Sequence, residues 1–562
     1  MKNTAYYALH FFYILFFLLC LFLNAYAQDA SSSISFNNKS GESGFVKVIG
    51  PTRQVIEVPD GQIRTINVAA GEYYILVRYG NRPEAYTYTK GESFAVVQTA
   101  DEYSKITITL HKVRDGNYST QSSSGDEFNQ AGVKIKDQGS ALIKAAIKGD
   151  TREVIKLISK GANIHGKDNN YGATALLFAS EKGYSKIVKV LLSEGADVNA
   201  KEERYGATAL LIASQKGHSA VVDLLLKGKA DVNVKDNTHW TPLMHATKHN
   251  HIGIINALLK KGASARSTSA NGATALMLAA QNGYTDIVKL LLKNDAYINA
   301  KENDHGVTAL MLGAQHGHLA VVRLLLKNGA DVKLKDKTGW TALIFATEKG
   351  YASIVETLIS EHANVNVKDN ILWVPLMIAA QNGNKGILKA LMKAGADVNV
   401  RNEDKRTALI IASKQGQVEL VEMLLKNDAD VEIQDKIGWT ALLHAVVKGH
   451  LKIVDALLDK AADVNKASND NTTALMLASN KGNLSIVKTL ITNGAKVDTE
   501  NSSGWTALML ASIKGHAKIV EMLLNNNSKV NIKNNENKTA LDYAREEKHS
   551  NIIKYLKKAG AK

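Results

Sequence analysis

From about residue 140 onward, apolar positions recur in two alternating helical registers. The stretch "NGATALMLAAQNGYTDIVKLLLKNDAYINAK", which begins at Asn271, shows one full unit. Leu276, Ala279 and Ala280 form a narrow apolar face on a short helix that Thr274 is placed to cap through its hydroxyl. Gly283 follows, where a helix can end in the left-handed conformation that a Cβ disfavours. Ile287, Val288, Leu290, Leu291 and Leu292 then form a wider apolar stripe on a second helix. A polar turn leads into the next unit. Neither helix can bury its face alone, so the pattern predicts units that stack on one another.

The unit recurs. The Thr that opens the first helix returns at Thr174, Thr208, Thr241, Thr274, Thr308, Thr341, Thr407, Thr440, Thr473, Thr506 and Thr539, with Val374 in the one altered place. Every step is 33 or 34 residues, and a degenerate first unit starts at Ser140. A fixed period of this length over thirteen units predicts a mainly α solenoid.

The unit resembles the ankyrin repeat. The family's Asp-x-x-Gly-x-Thr-Pro-Leu-His motif corresponds to "DKTGWTALIFATEKGY" from Asp336, and its second helix and turn to "IVKVLLSEGADVNAK" from Ile187. The resemblance spans residues 139–562. It implies antiparallel helix pairs, a hairpin-like finger between units, and a concave side on which partners bind. The family's Pro survives only at Pro242 and Pro375. The family's His is absent from its slot, where Leu177, Leu211, Met244, Met277, Met311, Ile344 and Met377 stand, so apolar packing is expected to replace its hydrogen bonds.

Upstream the period changes to two. Short alternating runs such as "FVKVIG" from Phe45, "EYYILVRY" from Glu72 and "KITITLHKV" from Lys105 are separated by Pro59-Asp60-Gly61, Ala70-Gly71 and Gly80-Asn81. They predict a small β-sandwich over 34–113. Residues 114–138, rich in Ser, Gly, Gln and Asn, read as a flexible linker. At the N-terminus one Lys precedes an apolar run to Leu23, and Ala25-Tyr26-Ala27 offers a cleavage site. This pattern predicts a secretory signal over 1–27 and an exported protein, periplasmic or secreted, of bacterial type and with no membrane anchor after cleavage. Cys20, the single cysteine, falls inside that segment, so the mature chain is expected to hold neither a disulfide nor a thiolate metal site.

The net charge of +15 is unevenly spread. Residues 28–125 carry ten Lys/Arg against ten Asp/Glu; from Asp126 on the balance is 58 against 44, or +14. A basic array favours an acidic partner. No nucleotide-binding loop, metalloprotease helix or serine-hydrolase elbow is present, so no enzymatic activity, cofactor, metal site or small-molecule substrate is expected. His218, His318, His450 and His516 occupy the Gly-His slot of the repeat and read as structural. The recurring Asp197, Asp231, Asp331 and Asp397 read as turn residues. A residue found in every unit serves the fold, so partner specificity is sought in slots that differ between units.

Two such slots stand out. All five tryptophans, Trp240, Trp340, Trp373, Trp439 and Trp505, directly precede the Thr slot, with Tyr171 and Tyr205 at neighbouring fingertip positions. Large aromatic side chains supply much contact area at binding hot spots. In "DNILWVPLM", Ile371 and Leu372 make an apolar tip where a polar turn is expected. The second slot precedes the Gly that ends the first helix and holds Lys148, Lys182, Lys216, Lys349, Lys448, Lys481 and Lys514, with Glu547 its only acid. Together these slots predict a protein-binding scaffold whose concave groove and fingertips meet an acidic protein surface. Nucleic acid is the less favoured partner. The alternatives are an exported polyanion binder or a purely structural envelope spacer.

Overall fold

The computed structural model describes residues 141–562 throughout, and upstream of them eight strand segments between Ser32 and His111. The chain divides into two units, residues 1–120 and 121–562. In the first unit, strands β1 (Ser32–Asn37) and β4 (Ile63–Val68) pair antiparallel. A second sheet runs in the order β3 (Gln54–Val58), β2 (Gly44–Ile49), β5 (Glu72–Tyr79), β6 (Thr87–Lys90), β8 (Leu110–His111), and β7 (Phe94–Ala95) also pairs with β5. The proposed signal segment with Cys20, the linker and the packing expected of a sandwich lie outside the described residues.

The second unit is a stack of thirteen helix pairs, numbered here as repeats 1 to 13. Repeat 1 pairs Ala141–Lys148 with Thr151–Ser159, and repeat 13 pairs Ala540–Glu546 with Ser550–Lys558. The local reading of repeat 5 holds in detail. Thr274 Oγ1 accepts from Met277 N at 3.2 Å and caps Ala275–Gln281. Gly283 adopts φ +74°, and Thr285–Lys293 follows. Successive first helices, lined by Ala, lie against one another over a longer contact than successive Leu-rich second helices do. Wider spacing on the second-helix side curves the stack, which puts the first helices on its inner face.

Three kinds of tie join neighbours. At the fingers, a backbone N–H of each finger donates to a carbonyl of the one before, as in Asn237 N to Tyr205 O (2.8 Å), Asn303 N to Asn271 O (2.8 Å), Lys337 N to His305 O (2.7 Å) and Asn370 N to Thr338 O (3.0 Å). At the opposite turns, Asn199, Asn299, Asn366 and Asn399 each accept through Oδ1 from a backbone N–H of the next repeat at 2.8–2.9 Å. The Asp residues of these turns bond locally, Asp197 Oδ1 accepting from Asn199 N at 2.9 Å, in keeping with the turn reading.

The third tie is an interlock. His318 Nε2 donates to Gln281 O of the preceding repeat at 2.9 Å, and its ring lies where a Cβ on Gly283 would stand, 2.5 Å from Nδ1. Glycine is therefore required there for its positive φ and for the vacancy beside it. The same bond joins His218 to Glu181 O (2.8 Å) and His516 to Asn480 O (3.3 Å). His251 and His549 also take part, at 3.1 Å to Gln215 O and 3.3 Å to Ile513 O. Both follow a non-glycine residue in the left-handed conformation, Asn250 and Lys548, each at φ +59°.

Candidate binding face

Each finger is organised by one side chain at its first corner, half-buried at Asp336 and Asn501 and buried at Asp168, Glu202, Asp236, Glu302, Asp369 and Asp435. Asp236 Oδ1 accepts from Thr238 N (2.8 Å), Thr238 Oγ1 (2.6 Å) and Trp240 N (2.9 Å). Asp336, Asp369 and Asp435 do the same for Trp340, Trp373 and Trp439 at 2.7–2.9 Å, and Asn501 does so for Trp505 at 2.9 Å. The fingers with one extra residue use Asp168, Glu202 and Glu302 and reach five residues on, to Ala173, Ala207 and Val307. In two of these three the longer Glu side chain matches the longer loop.

The Trp slot does not place every indole on the surface. Trp240 is 2% exposed and Trp340 7%, and Tyr171 is also buried. Each of these indoles folds back onto its own first helix: Trp240 lies 5.2 Å from the His245 ring and Trp340 5.1 Å from Phe345. Trp340 Nε1 also donates to Asp369 Oδ2 of the next finger at 3.1 Å. The expectation that these three residues are accessible anchors is corrected on this ground. Trp373, Trp439, Trp505 and Tyr205 are half-buried, and Trp505 stacks on Tyr543 of the next repeat at 4.6 Å. Ile371 is half-buried, whereas Leu372 is 41% exposed.

The missing family His is replaced in three repeats by hydrogen bonds rather than by apolar packing. His245 Nε2 donates to Asp236 Oδ2 and His444 Nε2 to Asp435 Oδ2, both at 2.9 Å and both buried. In repeat 13, Tyr543 Oη accepts from Asn534 Nδ2 at 2.6 Å. The partner stands nine residues after the corner, one place beyond the family's slot. Burial pushes the Asp236 carboxyl up, but the His245 and Thr238 hydrogen bonds outweigh it and leave it below the usual range; Asp435 follows the same rule with His444.

The lysine slot is on the surface as expected. Lys182, Lys349, Lys448, Lys481 and Lys514 are exposed and Lys216 is half-buried, all at the C-terminal ends of the first helices. Beside Lys182, the buried Glu181 lies 3.6 Å from its Nζ; burial raises the Glu181 carboxyl against the pull of Lys182 and Lys216. Lysines at these helix ends also complement the helix dipole. Among the described residues no group of three His, Cys, Asp or Glu side chains is arranged to hold a metal ion, and no helix is long and apolar enough to cross a membrane.

Stacked antiparallel helix pairs, fingers tied edge to edge and a basic row at the first-helix ends define a curved repeat solenoid of the kind that presents an extended surface. The family model for ankyrin repeats (3 copies) matches residues 123–202, 199–269, 262–336, 301–369, 376–468 and 475–562, and the chain belongs to the ankyrin-repeat family. No curated protein sequence matches the chain.

Proposed function

We propose that the array is a protein-binding scaffold whose inner face receives an acidic segment of another protein, and that it carries out no chemistry of its own. Ankyrin repeats serve in general as scaffolds for protein–protein interaction. The observation that carries the more specific reading is the surface row of lysines at the first-helix ends, in a slot where Glu547 is the only acid. Such a row raises the local concentration of an acidic partner and speeds its encounter. In the same reading the N-terminal apolar segment serves export, and the strand-rich unit acts as a spacer ahead of the array.

Charge reversal tests this reading in the intact chain. Exchanging Lys182, Lys349 and Lys481 for Glu is expected to abolish cross-linking to the partner from a photoreactive residue placed at Lys514. Exchanging the exposed second-helix lysines Lys189, Lys289 and Lys389 should leave it unchanged. Equal loss from both sets would reduce the effect to net charge and overturn the assignment to the inner face.

A further inference from the structure

Three successive fingers, 369–373, 402–406 and 435–439, carry a surface unlike the rest of the array. Leu372 occupies a slot that Gly339 and Gly438 fill in other fingers, and it does so at φ +62°. An L-residue in that conformation is strained by roughly 1–2 kcal/mol. Despite that cost the side chain is 41% exposed, so packing within the array covers only part of it. Two fingers further on, Ile437 is 54% exposed in the slot where finger 336–340 holds Thr338. Half-buried Trp373 and Trp439 stand next to these aliphatic tips.

The finger between them is charged. Asp404 is engaged by Arg406 at 3.3 Å and Lys436 at 3.7 Å, and Glu403 is an exposed acid. Lys405 and Lys436 are exposed, and Lys414 and Lys448 stand at the adjoining first-helix ends. Burial first, and then Arg406 and Lys448, hold Lys414 below the usual lysine range against the pull of Asp435 and Asp404.

We infer that fingers 369–373 to 435–439 form a docking site for an extended acidic peptide segment with two aliphatic side chains six residues apart. This assignment rests on the scaffold reading and specifies which partner segment is read, and where. Packed helices stand about 8–10 Å apart, so Leu372 and Ile437, two repeats apart, are separated by roughly 16–20 Å. An extended chain advances about 3.3 Å per residue and alternates sides. Side chains at i and i+6 are then about 20 Å apart and on one side. Acidic residues at i+2 and i+4 share that side and meet Lys405, Arg406 and Lys414.

The probe is a fluorescein-labelled peptide, Leu-Ser-Asp-Ser-Glu-Ser-Leu, titrated with the intact chain and read by fluorescence anisotropy. Saturable binding is expected. It should weaken at least tenfold when both leucines become Ser, and about as much when one added Ser moves the second leucine to the opposite side. The double variant L372G/I437T should bind at least tenfold more weakly while melting no lower than the parent, because it carries residues that other fingers already use in these slots. Absence of binding, equal binding of the leucine and serine peptides, or full binding by L372G/I437T would each overturn the site. If these results come while charge reversal at Lys182, Lys349 and Lys481 still abolishes partner cross-linking, the scaffold reading stands and only this docking site fails.

Discussion

Fingers 236–240 and 336–340 are built on one frame, Asp-x-Thr-x-Trp, yet they are held in different ways. In the first, His245 closes a hydrogen bond onto Asp236, and Trp240 lies against that ring. In the second, Phe345 takes the His place, and Asp336 keeps only partners within its own turn, Thr338 and Trp340. Burial there raises the Asp336 carboxyl despite those bonds, whereas Asp236 is lowered. Trp340 instead donates outward to Asp369 of the next finger. Both fingers share the backbone ties to their neighbours, but the buried side-chain bond closes within the repeat in the first and reaches the next finger in the second. A shared motif therefore specifies the turn but not where its energy resides.

The comparison can be broken most sharply at His245. His245→Phe leaves a buried carboxylate oxygen without its partner and should cost about 2 kcal/mol at neutral pH. Faster amide exchange confined to repeats 3–5 would show it. Asp236 is lowered in the folded state, so its stabilisation is present above the unfolded carboxyl value of about 3.9 and is lost as pH falls through its folded value. That acid loss should shrink in His245→Phe. Gly339→Ala comes next. A Cβ there would lie 2.9 Å from Asn370 N at φ +86°, and a destabilisation of roughly 1–2 kcal/mol is expected in denaturant melts.

The reverse graft, Phe345→His, should give Asp336 the partner that Asp236 has. A gain of about 1 kcal/mol and a fall in the Asp336 pKa by NMR titration are expected. An unchanged pKa would show that the His alone does not distinguish the two fingers. The smallest effect is expected for Asp336→Asn, within about 0.5 kcal/mol at neutral pH. Because Asp336 is raised in the folded state, its ionisation lowers stability as pH rises from about 3.9 through its folded value. Asn removes that slope.

Much of the fold was legible because the period is strict: the Thr174-to-Thr539 series located twelve first helices to within a residue. The lysine slot was legible for the same reason, since the strict period fixes the first-helix ends, where Lys182, Lys349, Lys448, Lys481 and Lys514 are exposed and Lys216 is half-buried. The tryptophans were not. Their common position before Thr says nothing about depth: Trp240 and Trp439 each lie about 5 Å from a His ring nine places after the corner, yet the first is buried and the second half-buried. The roles of His245 and His444 were not legible because both stand one place beyond the family's His slot. Those of His251 and His549 were not legible because Asn250 and Lys548 replace the glycine that marks the slot. In each case the controlling partner is distant in sequence or conformationally equivalent but chemically unlike.

The interlock of ring against glycine has a consequence for how such a chain changes length. The joint between repeats 2 and 3 and that between repeats 5 and 6 use the same bond and the same vacant Cβ. A unit removed by unequal recombination between such joints leaves two ends that still fit, and a duplicated unit finds a ready seat. Modularity here is a property of the seam rather than of the units, and it allows the individual fingertips to diverge while the number of repeats drifts.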